Sequence, residues 1–477
     1  MTLQHARSAL GQAACLKVAA LIICYAAAFA WAAEPLQSQF PGQTSLPDVV
    51  LRPAPMPVTR EYFGLHMSKL LQPHHGGKTS SWPDLDIGSW RLWGAYVAWR
   101  DIEPQRGAFK FDWLDSYVRM AEAKRVELVL TLGMTPTWAA SRAGEACIFG
   151  PPGCASEPAR LEDWEHYVTS VVRRYRGRIK AYEIWNEPVF SEDDERKPSQ
   201  VYFSGSARSM VDMARIAYGV IKREDPAALV LSPAVVSRPA RLATFLRAGG
   251  VGTFDVVAYH FYGAPPERLV EDAVTLRKVL VAHGIDKLPV WNTEMGYYFE
   301  RPALGIAAVE RRKSFEDVLP ERLGAAYVLR SLVLGAALDF QRFHWYDWDS
   351  EKLPWELPMG LGSDDGQRLN PAGRAYGRAV QWLRGRVIEQ CQGSRGGLWE
   401  CRLRQGALRS MLVWSAGSAK SWKPPKAAYA GELDDKGCFR AISASDSIVV
   451  GPMPWLIFLD EGAGTMPSPV CSAKDMR

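Results

Sequence analysis

Residues 182–188 read Tyr-Glu-Ile-Trp-Asn-Glu-Pro, and residues 290–296 read Val-Trp-Asn-Thr-Glu-Met-Gly. Each stretch is a short apolar run that carries a glutamate, Glu187 or Glu294, at its C-terminal end. A glutamate is costly at such a position unless water solvates it, a cation pairs with it or the protein uses it. About three βα units separate the two glutamates, if a barrel of eight such units takes about 250 residues.

Two carboxyl groups directed at one cleft are what the hydrolysis of a glycosidic bond requires. One group must be protonated to donate to the leaving oxygen, and the other must be ionised to meet the developing oxocarbenium ion. The alternative is that both glutamates are solvated charges on a rim, and a lone Asn-Glu-Pro also caps ordinary helices. The residues at the other predicted strand ends therefore carry weight in choosing between the two interpretations.

The first 32 residues have the pattern of an export signal. Arg7 and Lys17 precede the apolar run 18–30, and Ala30-Trp31-Ala32 fits the small-x-small rule for cleavage. The run is short for a membrane-spanning helix, so an uncleaved anchor with weak membrane association is the alternative. We therefore expect a periplasmic or secreted protein.

The charge of the chain excludes one class of partner. Removal of the export segment takes away Arg7 and Lys17 and no acid, so the net charge falls from +5 to +3. Such a mild charge, spread evenly along the chain, is not that of a nucleic-acid-binding protein.

Six cysteines remain outside the export segment. An even number in an exported chain favours disulfide bonds, although the sequence leaves their connectivity open. Pairing between neighbours is the simplest hypothesis and gives Cys147–Cys154, Cys391–Cys401 and Cys438–Cys471. No Cys/His spacing resembles a zinc site, and we expect neither a metal nor a cofactor.

From Glu61 onward, short apolar runs alternate with amphipathic segments, and this order predicts an α/β fold, a (β/α)8 TIM barrel with a parallel sheet. The predicted strands are Tyr62–His66, Ile87–Trp93, Val126–Leu132, Ile179–Trp185, Leu229–Ser232, Phe254–Phe261, Leu288–Thr293 and Phe340–Trp345. The predicted helices are Phe111–Lys124, Trp164–Tyr175, Ala207–Arg223, Ala325–Leu338 and Pro371–Arg384.

The segments on either side of this pattern predict the domain organisation. Residues 33–60 are rich in proline and lack periodicity, which indicates a linker or a strap over the barrel floor. Residues 61–385 form the predicted catalytic barrel. Residues 386–477 contain short β-prone stretches between Gly, Ser and Pro, and they predict a small antiparallel β-sandwich packed on the barrel.

Trp-Asn-Glu-Pro at Glu187 and Trp-Asn-Thr-Glu at Glu294 resemble the clan A retaining glycoside hydrolases. The resemblance is closest to family 39, including the secreted glycosidases of bacterial exopolysaccharide clusters, with family 5 a near neighbour. It implies that Glu187 ends strand 4 as the acid/base and that Glu294 ends strand 7 as the nucleophile. It also implies that Asn186 binds the 2-hydroxyl of the substrate and that an accessory β-domain follows the barrel.

Two further strand ends fit the same resemblance. The sixth strand ends in Tyr259-His260-Phe261-Tyr262, and the resemblance implies that Tyr262 orients Glu294 while His260 lines the sugar subsite. The alternative is that His260 and Tyr262 fill the core.

Arg91 lies in the second strand, where an arginine is costly unless it meets an acid. The resemblance implies that Arg91 pairs with Glu294 and keeps it ionised.

The eighth strand contributes Trp345 and Trp348. Indole rings stack on the apolar C–H faces of sugars, so either residue is a candidate for the floor of the subsite that holds the cleaved sugar. Tryptophan fills protein cores as often as it binds ligands, and that alternative applies to both positions.

Together these features predict a monomeric retaining glycoside hydrolase that cleaves β-linkages in a polysaccharide or oligosaccharide by double displacement. Endo action on bacterial exopolysaccharide is the first hypothesis, and an exo-acting β-xylosidase or related β-glycosidase is the second. The alternative from another class is a non-catalytic carbohydrate-binding protein, against which the presence of both glutamates argues.

Overall fold

The structure, a computed structural model, describes residues 48–71, 79–147, 149–192, 201–300, 318–349, 359–363, 365–425, 428–432 and 440–459. The predicted export segment and the predicted pair Cys438–Cys471 lie outside these residues. Among the described helices, none has the length and apolar character needed to cross a membrane.

Eight strand positions form a parallel barrel. They are β1 Phe63–His66, β2 Ser89–Leu92, β3 Glu127–Leu132, β4 Ala181–Ile184, β5 in two segments, Leu229–Leu231 and Val235–Val236, β6 Val257–His260, β7 Val290–Met295 and β8 Phe340–Trp345. β8 pairs with β1, and the two segments of β5 connect β4 to β6. The predicted (β/α)8 fold is confirmed, with the fifth strand interrupted and extended beyond its predicted end.

The described helices surround the barrel. They are α1 Trp99–Ile102, α2 Asp112–Lys124, α3 Leu161–Arg174, α4 Ala207–Glu224, α5 Pro239–Phe245, α6 Arg268–Ala282, α7 Glu321–Ala337 and α8 Pro371–Leu383, with a 3-10 turn at Arg60–Tyr62 and a π-helical turn at Leu246–Gly250. In α3, the buried residues Trp164, Tyr167, Val168 and Val171 repeat at helical spacing and cover the sheet.

All five predicted helices occur within a few residues of their predicted bounds, whereas α1, α5 and α6 were not predicted. The first two are short. In α6, Val274 and Val281 are exposed, so its apolar residues do not fall on a single face and its periodicity is blurred.

An antiparallel domain follows the barrel. Its strands are β9 Val387–Gly393, β10 Leu398–Gln405, β11 Leu408–Ser415, β12 Lys420–Trp422, β13 Ala428–Glu432, β14 Arg440–Ile442, β15 Ile448–Val450 and β16 Trp455–Leu459. Six of them join one sheet, and β12 pairs with β15 in a second, two-stranded sheet. A buried cluster that includes Met411, Val413, Ile448 and Val450 joins side chains of both sheets. The prediction of an antiparallel C-terminal domain is confirmed.

The described part of the predicted linker contains a strand. Val49–Leu51 pairs antiparallel with β9 at the edge of the larger C-terminal sheet, with Leu51 opposite Cys391. The prediction of a linker or barrel-floor strap missed this strand, because three residues between prolines are too few to show a period of two.

Each domain contains one disulfide bond, and a buried polar cluster joins the C-terminal sheet to the barrel. Cys147–Cys154 closes part of the loop between β3 and α3, and Cys391–Cys401 joins β9 to β10, so two of the three predicted pairs are present. The Trp414 indole of β11 donates to Glu267 Oε1 at 2.8 Å, and Glu267 pairs with Arg330 of α7. The C-terminal sheet therefore contacts the barrel beside α7.

Candidate active site

The turn after β4 presents Glu187. Trp185 and Glu187 have φ angles of 65° and 42°, in the left-handed region that costs a non-glycine residue about 1–2 kcal/mol. Bonds to neighbouring strands hold this backbone: Trp185 donates to the Leu132 carbonyl at 2.8 Å, and Glu187 donates to the Ala234 carbonyl at 2.9 Å. The barrel thus imposes a turn that the isolated segment would disfavour.

The end of β7 presents Glu294. The backbone of β8 approaches closely here, since the Tyr346 amide donates to the Met295 carbonyl at 2.8 Å. A Cβ atom at position 296 would lie 2.0 Å from the Tyr346 carbonyl oxygen, so only glycine fits in Glu294-Met295-Gly296.

The two carboxyl groups meet at the C-terminal edge of the sheet. A carboxylate oxygen of Glu187, a carboxylate oxygen of Glu294 and a ring nitrogen of His260 all lie within 4.8 Å of one another. Glu294 is 7% exposed, and the Glu187 side chain is 19% exposed. The structure therefore brings the predicted catalytic pair together, with Glu187 the more accessible member.

Both predicted partners of Glu294 contact it. The Tyr262 hydroxyl donates to Oε1 at 2.8 Å, and Nη1 of Arg91 donates to Oε2 at 2.9 Å. Each carboxylate oxygen thus has its own donor, which restricts rotation of the group. Burial and the nearby Glu294 carboxylate raise the pKa of Tyr262 well above its usual value, so its hydroxyl keeps its proton.

His260 contacts the other member of the pair. Its Nδ1 lies 2.8 Å from Oε1 of Glu187 and 3.9 Å from Oε1 of Glu294, and the residue is fully buried. The prediction placed His260 along the sugar subsite. Its burial instead favours an action on substrate through Glu187, whose carboxyl it orients.

A buried acid on β4 was not predicted as part of the site. Glu183 is fully buried, and its Oε2 accepts from Nε of Arg91 at 2.8 Å, from Nη2 of Arg91 and from the Thr131 hydroxyl at 2.8 Å. Nη2 also donates to Oδ1 of Asn186 at 2.7 Å. Glu183 lies within the quoted stretch 182–188, and its position inside an apolar strand is the signal that could have identified it.

The electrostatics of Glu294 differ from the expectation. Burial raises the pKa of the Glu294 carboxyl, and the Glu187 carboxylate adds to this, while His260, Arg91 and the Tyr262 hydroxyl oppose it. The sequence suggested that Arg91 would keep Glu294 ionised. Arg91 does pair with Glu294, and it also pairs with Glu183, but burial is the larger effect on the pKa of Glu294.

The predicted aromatic floor is buried in this structure. Trp345 is 0% exposed and packs against Tyr297 and Phe299, and Trp348 is 1% exposed and donates its indole N–H to the Ser81 carbonyl at 2.8 Å. Neither indole presents an open face to a sugar here. Their burial thus corrects the expectation of an exposed platform and favours the core alternative.

Asn186 remains able to bind a ligand. It is 1% exposed, its oxygen accepts from Arg91, and within the described residues no hydrogen bond engages its amide nitrogen. That nitrogen can donate to a sugar hydroxyl.

Glu187, His260 and Glu294 are also close enough to share a metal ion. Nη1 of Arg91 lies 2.9 Å from Glu294 Oε2, so the guanidinium already compensates the negative charge of that carboxylate. A divalent cation would be repelled by this positive charge, which makes the three residues a poor metal site.

Comparison with known proteins shows which families and structures this chain is similar to. The sequence model of glycosyl hydrolase family 10 matches residues 94–231. A family 39 glycoside hydrolase from the gut symbiont Bacteroides cellulosilyticus WH2 is 16% identical, with 84% of this chain and 82% of that chain covered and a TM-score of 0.60. A monomeric β-xylosidase from Caulobacter crescentus CB15 is 16% identical, with 85% and 97% covered and a TM-score of 0.55. The family 39 enzyme from Xanthomonas axonopodis pv. citri is 16% identical, with 88% and 99% covered and a TM-score of 0.55.

The matched structures confirm the predicted barrel fold, and the predicted resemblance to clan A glycoside hydrolases agrees with these matches, which include family 39 enzymes. The match to a glycosyl hydrolase family inside the barrel, which includes Glu187, confirms the prediction of an enzyme of the glycoside hydrolase class.

Proposed function

We propose that this protein is a retaining glycoside hydrolase that cleaves β-glycosidic bonds by double displacement, with Glu187 as acid/base and Glu294 as nucleophile. The spacing of the two carboxyl groups carries the proposal. One carboxylate oxygen of Glu187 lies within 4.8 Å of one carboxylate oxygen of Glu294, whereas an inverting enzyme separates its carboxyl groups by about 6.5–9.5 Å to admit a water. Retention needs about 5–5.5 Å.

The first step forms a glycosyl ester. Glu294 attacks the anomeric carbon while Glu187 transfers its proton to the leaving oxygen, and the glycosidic bond breaks. Arg91 and Tyr262 hold the two oxygens of Glu294 at the start of this step. The Asn186 amide nitrogen is the donor for the sugar 2-hydroxyl.

The second step returns the enzyme to its starting state. Glu187 gave its proton to the leaving oxygen in the first step, so it enters the second step as a carboxylate and acts as a base. Glu187 takes a proton from water, the oxygen of that water attacks the anomeric carbon, and the ester bond to Glu294 breaks. His260, 2.8 Å from Glu187, keeps the carboxyl oriented through both steps.

The proposed substrate is a β-linked polysaccharide outside the cytoplasm, with endo action on bacterial exopolysaccharide. The export pattern of residues 1–32 and the two disulfide bonds support the compartment, since disulfides persist in oxidising environments. An exo-acting β-xylosidase is the alternative, which the similarity to a protein described as a β-xylosidase favours. The same protein is described as monomeric, and we propose a monomer here.

Digestion of polysaccharides and of aryl β-glycosides by the purified mature protein tests this proposal. Endo action gives a ladder of oligosaccharides, whereas exo action releases one sugar at a time. Nuclear magnetic resonance of the first product identifies its anomer, and a β-anomer from a β-linked substrate is expected. A first product of α-configuration contradicts retention. Binding without turnover on every substrate favours the non-catalytic alternative.

A further inference from the structure

Glu183 is a buried acid for which the proposed reaction has no direct use. Its Oε2 accepts hydrogen bonds from Arg91 and Thr131, and both glutamate and arginine are fully buried. A buried charge is costly unless a partner of opposite charge and further hydrogen bonds compensate it. The Arg91–Glu183 pair is therefore a fixed element of the barrel interior.

Arg91 connects this pair to both catalytic strands. Nη1 donates to Oε2 of Glu294 at 2.9 Å, and Nη2 donates to Oδ1 of Asn186 at 2.7 Å. The guanidinium group is planar and its donors form a rigid fork. Since Nε and Nη2 are held by Glu183, the direction in which Nη1 meets Glu294 is set by Glu183.

The charge of Arg91 is divided between two carboxylates. Five charged or titratable groups face Glu294 from the surrounding elements: Arg91 on β2, Glu187 at the end of β4, His260 on β6, Tyr262 in the loop after β6, and His66 on β1. Nε2 of His66 lies 3.9 Å from Oε2 of Glu294. Burial and Arg91 hold the pKa of His66 well below its usual value, so His66 adds no positive charge. Arg91 thus stabilises ionised Glu294 less than an unshared arginine would.

We propose that Glu183 is a positioning residue that fixes Arg91, takes up part of its charge and thereby sets the pH range over which Glu294 is ionised. The proposal rests on the proposed function insofar as Glu294 is the nucleophile. A carboxylate that is less strongly stabilised by its cation is more basic and hence a stronger nucleophile, so Glu183 favours the first chemical step.

Glu183→Gln tests the proposal, because it keeps the shape and an acceptor oxygen but removes the charge. Arg91 then acts on Glu294 alone, and the titration midpoint of Glu294 falls by about one pH unit. Carbon-13 resonances of protein labelled at the glutamate carboxyl carbons report this midpoint, with Glu294 assigned by its loss in Glu294→Gln. Because Glu294 must be ionised to react, the acid limb of kcat/KM moves to lower pH by the same amount.

Glu127→Gln is the matched control. Glu127 begins β3, at the opposite end of the barrel from the site, and its Oε2 accepts from Nε and Nη2 of Arg342 at 3.0 and 2.6 Å. The variant removes the same kind of interstrand pair without contact to Glu294, and the midpoint of Glu294 stays at its wild-type value.

Glu183→Asp is the second variant, for use where thermal unfolding shows that the glutamine variant does not fold. This variant keeps the negative charge but moves it away from Arg91 by the length of one methylene group. The titration midpoint of Glu294 should therefore fall by less than it does in Glu183→Gln. A wild-type midpoint in either folded Glu183 variant, or an equal fall in Glu127→Gln, overturns the proposal. The titration needs no substrate, so it can be read even if the wild-type protein proves inactive on every sugar tested. That inactivity would refute the proposed function, while a shifted midpoint in the variants would still support the role of Glu183.

Discussion

At the scale of single residues, the site is a set of hydrogen bonds around one carboxylate. Glu294 receives one donor on each oxygen, from Tyr262 and Arg91, and lies beside Glu187. Burial raises its pKa and these donors counter that effect. The pH dependence of the enzyme should therefore respond to each donor separately.

Glu294→Gln should lower turnover by at least about a thousandfold, because a neutral amide cannot form the glycosyl ester. Hydrolysis of an activated aryl β-glycoside measures the loss.

In Glu187→Ala, added azide should restore turnover and give a β-configured glycosyl azide. An α-configured azide from that variant would reverse the two assignments.

Tyr262→Phe should move the acid limb of kcat/KM to higher pH by about one unit. The hydroxyl stabilises ionised Glu294, so its loss raises the pKa of that carboxyl, and the ionised form then appears only at higher pH. Tyr259→Phe is the matched control, because the Tyr259 hydroxyl is buried on β6 without a hydrogen-bond partner in the described part of the chain. An unchanged limb in Tyr262→Phe, or an equal shift in the control, contradicts the assigned role.

At the scale of elements, strand ends and cross-strand links position the site and the C-terminal sheet. Gly296 lets the backbone of β8 pass beside β7, and left-handed angles at Trp185 and Glu187 shape the turn after β4. In the larger C-terminal sheet, Cys391 and Cys401 are opposite each other on β9 and β10 and are joined by a disulfide.

Replacement of Cys391 and Cys401 by serine should lower the free energy of unfolding by about 2–4 kcal/mol, since the bond restricts the unfolded chain. Denaturant titration of the oxidised protein measures this. Activity on a small aryl glycoside should change little, because the pair lies outside the catalytic residues. Reaction of either cysteine with a thiol reagent in unreduced, denatured wild-type protein would show that the bond does not form.

At the scale of the whole molecule, the barrel and the C-terminal sheet share a buried polar contact. Trp414 of the sheet donates to Glu267, which pairs with Arg330 of α7, and all three residues are buried. Trp399 stacks on Trp414 with ring centroids 5.6 Å apart. We therefore expect the barrel and the C-terminal sheet to unfold in a single transition.

Trp414→Phe should lower the free energy of unfolding by about 1–3 kcal/mol, because Glu267 loses one of its donors in a buried site. Trp399→Phe removes a similar volume from the neighbouring ring and leaves the bond to Glu267 intact, so it should cost less. Calorimetry should show one transition in the wild type. A smaller loss in Trp414→Phe than in Trp399→Phe would show that the bond to Glu267 adds no stability.

The parts of the site that were predictable lie in local patterns. An apolar run that ends in glutamate marks both Glu187 and Glu294, and alternating apolar and amphipathic segments predict the barrel. Both signals arise from neighbours within a few positions, because the period of side chains along a strand or helix is a property of the local backbone. Arg91 and Tyr262 were predicted as partners of Glu294 from the family resemblance, and the structure places both on that carboxylate.

By itself, the sequence thus predicted the order of the barrel elements and the two glutamates that meet at the site, and pairing between neighbours was its simplest hypothesis for the two disulfide bonds. Only the tertiary structure decided that Glu183 shares the charge of Arg91, that Val49–Leu51 joins the C-terminal sheet, and that Trp345 is buried. These features depend on contacts between residues far apart in the chain, which form only when the barrel closes and the second domain packs against it. A local sequence pattern does not show how the charge of Arg91 is shared or whether the ring of Trp345 is covered. Both depend on which distant residues the fold places next to them.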